Sequence, residues 1–308
     1  MLDTWREISD LVVAYDPVTL ARQPVLREQV VAQLRAQGQR RAARIVARWP
    51  ARDGRLNDEF VDGVLLRAHH QLQRLSEEFR QGERTQRLLS PLLAVLRAAG
   101  VPPPYRVVDV GCGLGYVVRW LAAHGGLGPD VELLGCDYNA TLVRRARALA
   151  EAEGLRCRFE VANAFALAEP ATVFVSTGVI HHFRGPELHG FIEAQRRGPA
   201  RAFLHSDIKP SYLAPLGAWL FHQARMREPL ARHDGILSAL RAHDAEALGR
   251  TATAACPDWS IGVLDGTRSA VPVLRVMQTL IGVEHSLRAG FERAVAGLAP
   301  RITWCGPA

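Results

Sequence analysis

The stretch Val107-Val108-Asp109-Val110-Gly111-Cys112-Gly113-Leu114-Gly115 constrains this chain more than any other. An apolar, β-branched run enters a turn with glycine at every second position, and a helical pattern over Gly115–His124 follows. Glycine lets the chain turn sharply and lets its amides approach a ligand closely, because no Cβ stands in the way. The helix behind the turn offers unpaired N–H groups to an anionic group. Asp137 stands 26 residues after Gly111, at the end of a second apolar run, Val131–Cys136. A carboxylate there accepts hydrogen bonds from both hydroxyls of a ribose, so the two marks together point to a nucleoside. Asn139 reads as the N-cap of the next helix, Asn139–Glu153.

The rest of the chain fits a sheet built around that turn. Further strands are expected at Arg106–Val110, Arg158–Val161, Thr172–Ser176, Ala202–Ser206, Trp259–Leu264 and Arg275–Val283, with a helix at Glu187–Arg197. Strand–helix alternation implies parallel strands with crossover helices, hence a doubly wound α/β sheet. Residues 1–100 read as a helical cap instead. Leu26, Val30, Val31 and Leu34 share one face, and Val61, Val64, Leu65, Leu72, Leu75 and Phe79 keep helical spacing. Ser90-Pro91 looks like an N-cap with proline at the first helical position, and that helix would end at Gly100. The run Val101-Pro102-Pro103-Pro104 then marks a boundary. The expected domains are 1–100, 101–284 and a helix-plus-tail segment, 285–308, with no assigned role.

Composition narrows the class. Hydrophobic residues make up 48% of 308, an ordinary globular balance, and no run approaches the length of a membrane span. The N-terminus lacks the apolar core of a secretory signal. The five cysteines are scattered with no CxxC, which fits neither a disulfide framework nor a zinc knuckle. A reducing, cytoplasmic setting is the expectation. The net charge is +7, and of 38 basic residues only Lys209 is lysine. The arginines are scattered among acids and carry no interleaved aromatics. Codon bias explains them better than a nucleic-acid surface does.

The glycine turn resembles motif I of the class I S-adenosylmethionine-dependent methyltransferases of small-molecule type. The spacing G-x-G-x-G fits that family better than the G-x-G-x-x-G of nicotinamide and flavin enzymes, because Tyr116 stands where the last glycine would be. The resemblance implies a Rossmann-like, seven-stranded sheet of order 3-2-1-4-5-7-6. It implies S-adenosyl-L-methionine as cofactor, held by Asp109, Gly111, Cys112, Gly113, Asp137, Tyr138, Asn163, Ala164, Phe165 and Thr177. Asn163 stands where many relatives carry Asp, and its amide both donates and accepts.

The next stretch, Val173 to Phe183, is similar to the Ser-x-x-x-x-His-His segment of quinone and sterol C-methylating enzymes. It lacks the Asp/Asn-Pro-Pro-Tyr motif of enzymes that methylate exocyclic amines of nucleic acids. The resemblance implies methyl transfer to an oxygen or carbon of a small organic acceptor. An RNA methyltransferase and a non-catalytic S-adenosylmethionine-binding partner protein are the alternatives. Such acceptors lose a proton, which suits histidine. His182 or His205 is the leading candidate base, with His181 the third, and capping or core packing is the competing reading. Asp207 and His233 are candidate substrate contacts, with Asp234 beside His233 in what reads as a charged turn. No carboxylate or thiol stands at metal-ligand spacing to the histidine pair. The run Leu213, Leu216, Trp219 and Leu220, within a helix expected over Tyr212–Met226, reads first as core-facing and second as a lid.

Overall fold

The computed structural model describes residues 5–167, 170–211, 214–265, 276–298 and 302–306. Tyr212, Leu213 and Arg275, which the sequence placed in a helix and a strand, lie outside these residues, as do 299–301, 307 and 308 of the tail. The chain divides into two compact units: Met1–Leu75 with Pro210–Ala242, and Ser76–Lys209 with His243–Ala308.

The second unit holds an eight-stranded sheet. Its strands are β1 (Tyr105–Val110), β2 (Val131–Asp137), β3 (Arg158–Val161), β4 (Val173–Thr177), β5 (Ala202–Ile208), β6 (Trp259–Leu264), β7 (Met277–Glu284) and β8 (Ile302–Cys305). Their order is 3-2-1-4-5-7-6-8. Strands β1 to β5 pair in parallel, as the alternation implied. Strand β7 runs antiparallel to both β5 and β6, so the sheet is mixed. The eighth strand corrects the sequence reading, which left this segment as tail and counted seven strands. Ile302–Cys305 pairs antiparallel with β6, from Leu264↔Ile302 to Ile261↔Cys305. Four residues before a glycine carry little strand signal, and the edge of β6 supplies the pairing that sequence pattern does not reveal.

Among the described residues six helices flank the sheet: α1 (Gln81–Ala98), α2 (Tyr116–His124), α3 (Ala140–Ala152), α4 (Pro186–Ala194), α5 (Ala245–Ala255) and α6 (His285–Val295). Side chains alternate along each strand, so every strand feeds two cores. Val107, Val173, Val175, Leu204 and Ile281 pack with the leucine stripe of α1 and with Phe291 of α6. Val108, Val110, Phe174 and Phe203 pack with Phe191 of α4 and Leu248 of α5. Helix α1 begins ten residues before the proline that was expected to start it, and Pro91 lies inside it. Leu88, Leu89, Leu92, Leu93 and Leu96 form one buried stripe across that proline, and its burial outweighs the lost backbone hydrogen bond.

The first unit is helical, with two short two-residue ladders. Its core gathers Ile8, Val12, Val30, Leu34, Val46, Trp49, Val61, Leu65 and Leu230. His233 and Asp234 occupy the middle of the helix Pro229–Leu240, where a turn was expected. Asp234 caps another element: its Oδ1 accepts from Ile8 N and its Oδ2 from Ser9 N, both at 2.9 Å. Ser238, one turn on, donates to Glu7 Oε1 at 2.8 Å. The segment from Glu7 to Ser9 is thereby tied to this helix. Asp234→Ala leaves two N–H groups without acceptors, at a cost of about 1–3 kcal/mol. Thermal or urea unfolding is expected to show this loss, and Asp234→Asn, which keeps one acceptor, is expected to recover part of it.

Candidate active site

The carboxyl ends of β1, β2, β4 and β5 bring most of the expected residues to one edge of the sheet. Gly111, Gly113 and Gly115 adopt φ of 70°, 54° and 70°, a left-handed run that side chains resist. Space is as limiting as conformation. A Cβ on Gly111 would stand 2.8 Å from Val179 Cγ2, and one on Gly115 would stand 2.2 Å from the Phe159 ring. The turn is pinned from β2, because Gly111 N and Cys112 N both donate to Cys136 O, at 2.8 and 3.0 Å.

Asp137 ties this turn to the next one. Its Oδ2 accepts from Gly113 N and its Oδ1 from Asn139 N, both at 2.9 Å. Asn139 is the N-cap the sequence indicated, accepting from Thr141 N and Leu142 N at the start of α3. Burial raises the Asp137 carboxyl above the usual carboxylate value, while the two backbone donors and His182 oppose the rise. Asp109, in the middle of the β1 end, is 3% exposed. Burial, with the Asp137 charge second, pushes its carboxyl up to about 8. Cys112 is partly exposed, and burial with the two carboxylates holds its thiol protonated.

Around this turn stand the remaining expected contacts. Tyr138 and Phe165 are 43% and 36% exposed. Asn163 Oδ1 accepts from Phe165 N at 3.0 Å and shapes the loop through Ala164. The Phe165 ring meets Phe183 edge-on at 5.1 Å. Thr177 ends β4, and Gly178 N donates to Ser206 O at 2.8 Å, which holds the β4 exit against β5.

The histidines separate into different environments. Ile180–His182 forms a 3-10 turn after β4. His181 is buried, its Nδ1 2.8 Å from Asp207 Oδ1, and its backbone N donates to Asp207 Oδ2 at 3.0 Å. Burial alone would raise the Asp207 carboxyl. His181 and the hydrogen bonds from His181 and Ile208 overcome it, so Asp207 lies below the usual carboxylate range and is ionised. An ionised partner at Nδ1 favours a ring proton on that nitrogen. The His182 ring lies 4.4 Å from that of His181, centroid to centroid, and interacts with the Asp137 charge.

His205 is different. It is 0% exposed, its Nδ1 is 2.8 Å from Ser176 Oγ, and it stacks on Phe203 at 4.9 Å. Burial drives its pKa down to about 3, so it is a neutral core residue at physiological pH. His233 and Asp234 belong to the first unit, where His233 Nδ1 lies 2.9 Å from Asp234 Oδ1.

One contributor had no sequence signal. His243 Nε2 meets the carbonyls of Ile180 and Phe183 at 3.2 and 3.0 Å, bracketing the His181–His182 turn. Arg184 Nη1 lies 2.7 Å from its Nδ1, and Gln278 Nε2 donates to its backbone O at 2.6 Å. A histidine 60 residues from the turn it holds follows no periodicity that sequence alone displays.

Residues 107–198 match a family model described as a methyltransferase domain. The match opens in β1 and closes after α4, taking in the glycine turn, Asp137, Asn163 and the histidine pair. Over this stretch the chain is similar to that methyltransferase domain. Solved structures similar to this chain include one from work on the conversion of a disulfide bond into a thioacetal group during echinomycin biosynthesis. It is 24% identical, covers 67% of this chain and 86% of its own, and has a TM-score of 0.44. The plantazolicin methyltransferase BamL is 15% identical, with 72% and 96% covered and a TM-score of 0.47. Magnesium protoporphyrin IX methyltransferase from Synechocystis PCC 6803 is 18% identical, with 84% and 96% covered and a TM-score of 0.42.

The Asp109 carboxyl gives this site a pH signature. Its folded pKa, about 8, lies above the ordinary 3.8. The folded state therefore keeps a proton that the unfolded state releases, and stability falls as pH rises between these values, then levels off. In the ligand-free protein, Asp109→Asn is expected to melt higher than wild type by a margin that widens from pH 5 to 8. Differential scanning fluorimetry across that range checks it, and a constant margin would contradict the buried, protonated acid.

Proposed function

We propose that the chain transfers a methyl group from S-adenosyl-L-methionine to an oxygen or carbon of a small organic acceptor. The observation that carries this reading is the glycine turn tied through Gly113 N to the carboxylate at the end of β2. Asp137 keeps further lone pairs for the ribose hydroxyls, and the glycine turn takes the amino-acid end in this reading. The adenine falls to Asn163, Ala164 and Phe165, with Tyr138 and Thr177 beside it. The buried acids fit a cationic ligand, because among the described residues neither Asp109 nor Asp137 is ion-paired with an arginine or lysine. When bound, the cofactor supplies the electrophilic methyl group.

The chain's own task is to orient the acceptor and take its proton. His181 is the base in this reading, with Asp207 holding the ring and the charge that forms on it. His182 lies next to it on the Asp137 side. His205 has its place in the core and stays outside the proton path in this reading. A base set against an ionised carboxylate suits acceptors that must be deprotonated, which favours hydroxyls and acidic carbons. Among the described residues no helix is long and apolar enough to cross a membrane, and the five cysteines are free thiols, which supports a cytoplasmic setting.

Two measurements test the reading. Asp137→Ala is expected to weaken S-adenosylmethionine binding by more than about tenfold in calorimetry, the loss of a charge-assisted hydrogen-bonding partner. Unchanged affinity would remove the ribose assignment. With methyl-labelled cofactor and a small-molecule extract, wild type is expected to label an organic product, and His181→Ala to label about a hundredfold less at unchanged cofactor affinity. Label appearing in RNA instead would contradict the proposal.

A further inference from the structure

The helix Ala214–Arg225 in the first unit is built inside out. A surface helix ordinarily turns its apolar stripe to the core. Here His222 is the buried residue, 6% exposed, while Leu216, Trp219 and Leu220 are 57%, 45% and 56% exposed. The sequence reading of these three as core-facing is therefore corrected. The orientation is fixed by packing. The His222 ring seats against Gly235, where a Cβ would stand 2.0 Å from it, and burial lowers the imidazole pKa toward the neutral form. A rotation that buried the leucines would pull His222 out of that seat.

Leu216, Trp219 and Leu220 are spaced three and four apart, so they form one continuous outward patch. Its electrostatic setting is one-sided. Residues 210–227 contain no aspartate or glutamate, and Arg225 and Arg227 stand at the end of the helix. Arg225 lies over the Phe221 ring, 5.8 Å from its centroid. The unit as a whole holds sixteen arginines against eleven acids, which places +5 of the chain's +7 in its 108 residues. A second copy of this face would meet it with like charge. Leucines and a tryptophan on one face, arginines at the margin and no acid are the features of a helix that lies in the headgroup region of an anionic bilayer.

We propose that this face docks the protein on an anionic lipid surface, without crossing it. The proposal does not rest on the methyl-transfer reading. Full-length protein is sedimented with vesicles of phosphatidylcholine and phosphatidylglycerol, and with phosphatidylcholine alone. Binding is expected to the mixed vesicles at low salt, weaker at high salt and weaker on the neutral ones. The double variant Leu216→Glu, Leu220→Glu is expected to lose about tenfold or more in partitioning at unchanged melting temperature. Should that variant fail to fold, brominated acyl chains provide the second test: they are expected to quench wild-type fluorescence and to quench Trp219→Phe less. Absence of binding at low salt, equal binding by the double variant, or a monomer–dimer shift in that variant without vesicle binding would each overturn the proposal. The last result would assign the face to a second copy.

Discussion

The Asp137 carboxylate is the interaction on which the rest of this site depends. Parallel pairing of Val110 with Cys136 sets the ends of β1 and β2 side by side. Each end leads into a loop and a helix, and loops carry backbone N–H groups that need acceptors. One oxygen of Asp137 satisfies Gly113 in the first loop and the other satisfies Asn139 in the second. Asn139 then caps α3, so a single side chain fixes two successive strand-to-helix passages. The left-handed glycines would be costly without that anchor, and the anchor would have nothing to hold if a Cβ displaced the turn.

The same edge shows how burial and hydrogen bonding divide three aspartates. Asp109 is buried among apolar strand residues beside another carboxyl, so the neutral form wins. Asp137 is buried too, but two backbone donors moderate the rise. Asp207 accepts from His181 twice and from Ile208, and it ionises despite burial. These are the three causes of a pKa shift acting at one sheet edge in different proportions. They give this edge a protonated acid near the glycine turn and a charged acid behind a histidine.

Much of this was legible in the sequence. The glycine turn, the acid 26 residues on and the Asn139 cap are local patterns whose chemistry is fixed by residue type, and the strand order follows from alternation and the family resemblance. What was not legible depends on tertiary contact. Pro91 looks like a helix start until the leucine stripe on both sides is seen to bury against the sheet. The last strand exists because β6 offers an edge. His181 and His205 look equivalent as letters, yet one meets a carboxylate and the other a phenylalanine ring. His243 has no signal at all, because its function is to satisfy two carbonyls distant in sequence. The helix Ala214–Arg225 misled for the opposite reason: its apolar spacing is real, but the seat beside Gly235 admits a histidine ring.

The most direct measurement is a crystal structure with S-adenosylhomocysteine. The ribose hydroxyls should lie within hydrogen-bonding distance of the Asp137 carboxylate and the homocysteine end over the turn from Gly111 to Gly115. Density for the nucleoside elsewhere, with that carboxylate facing only its two backbone donors, would contradict the account.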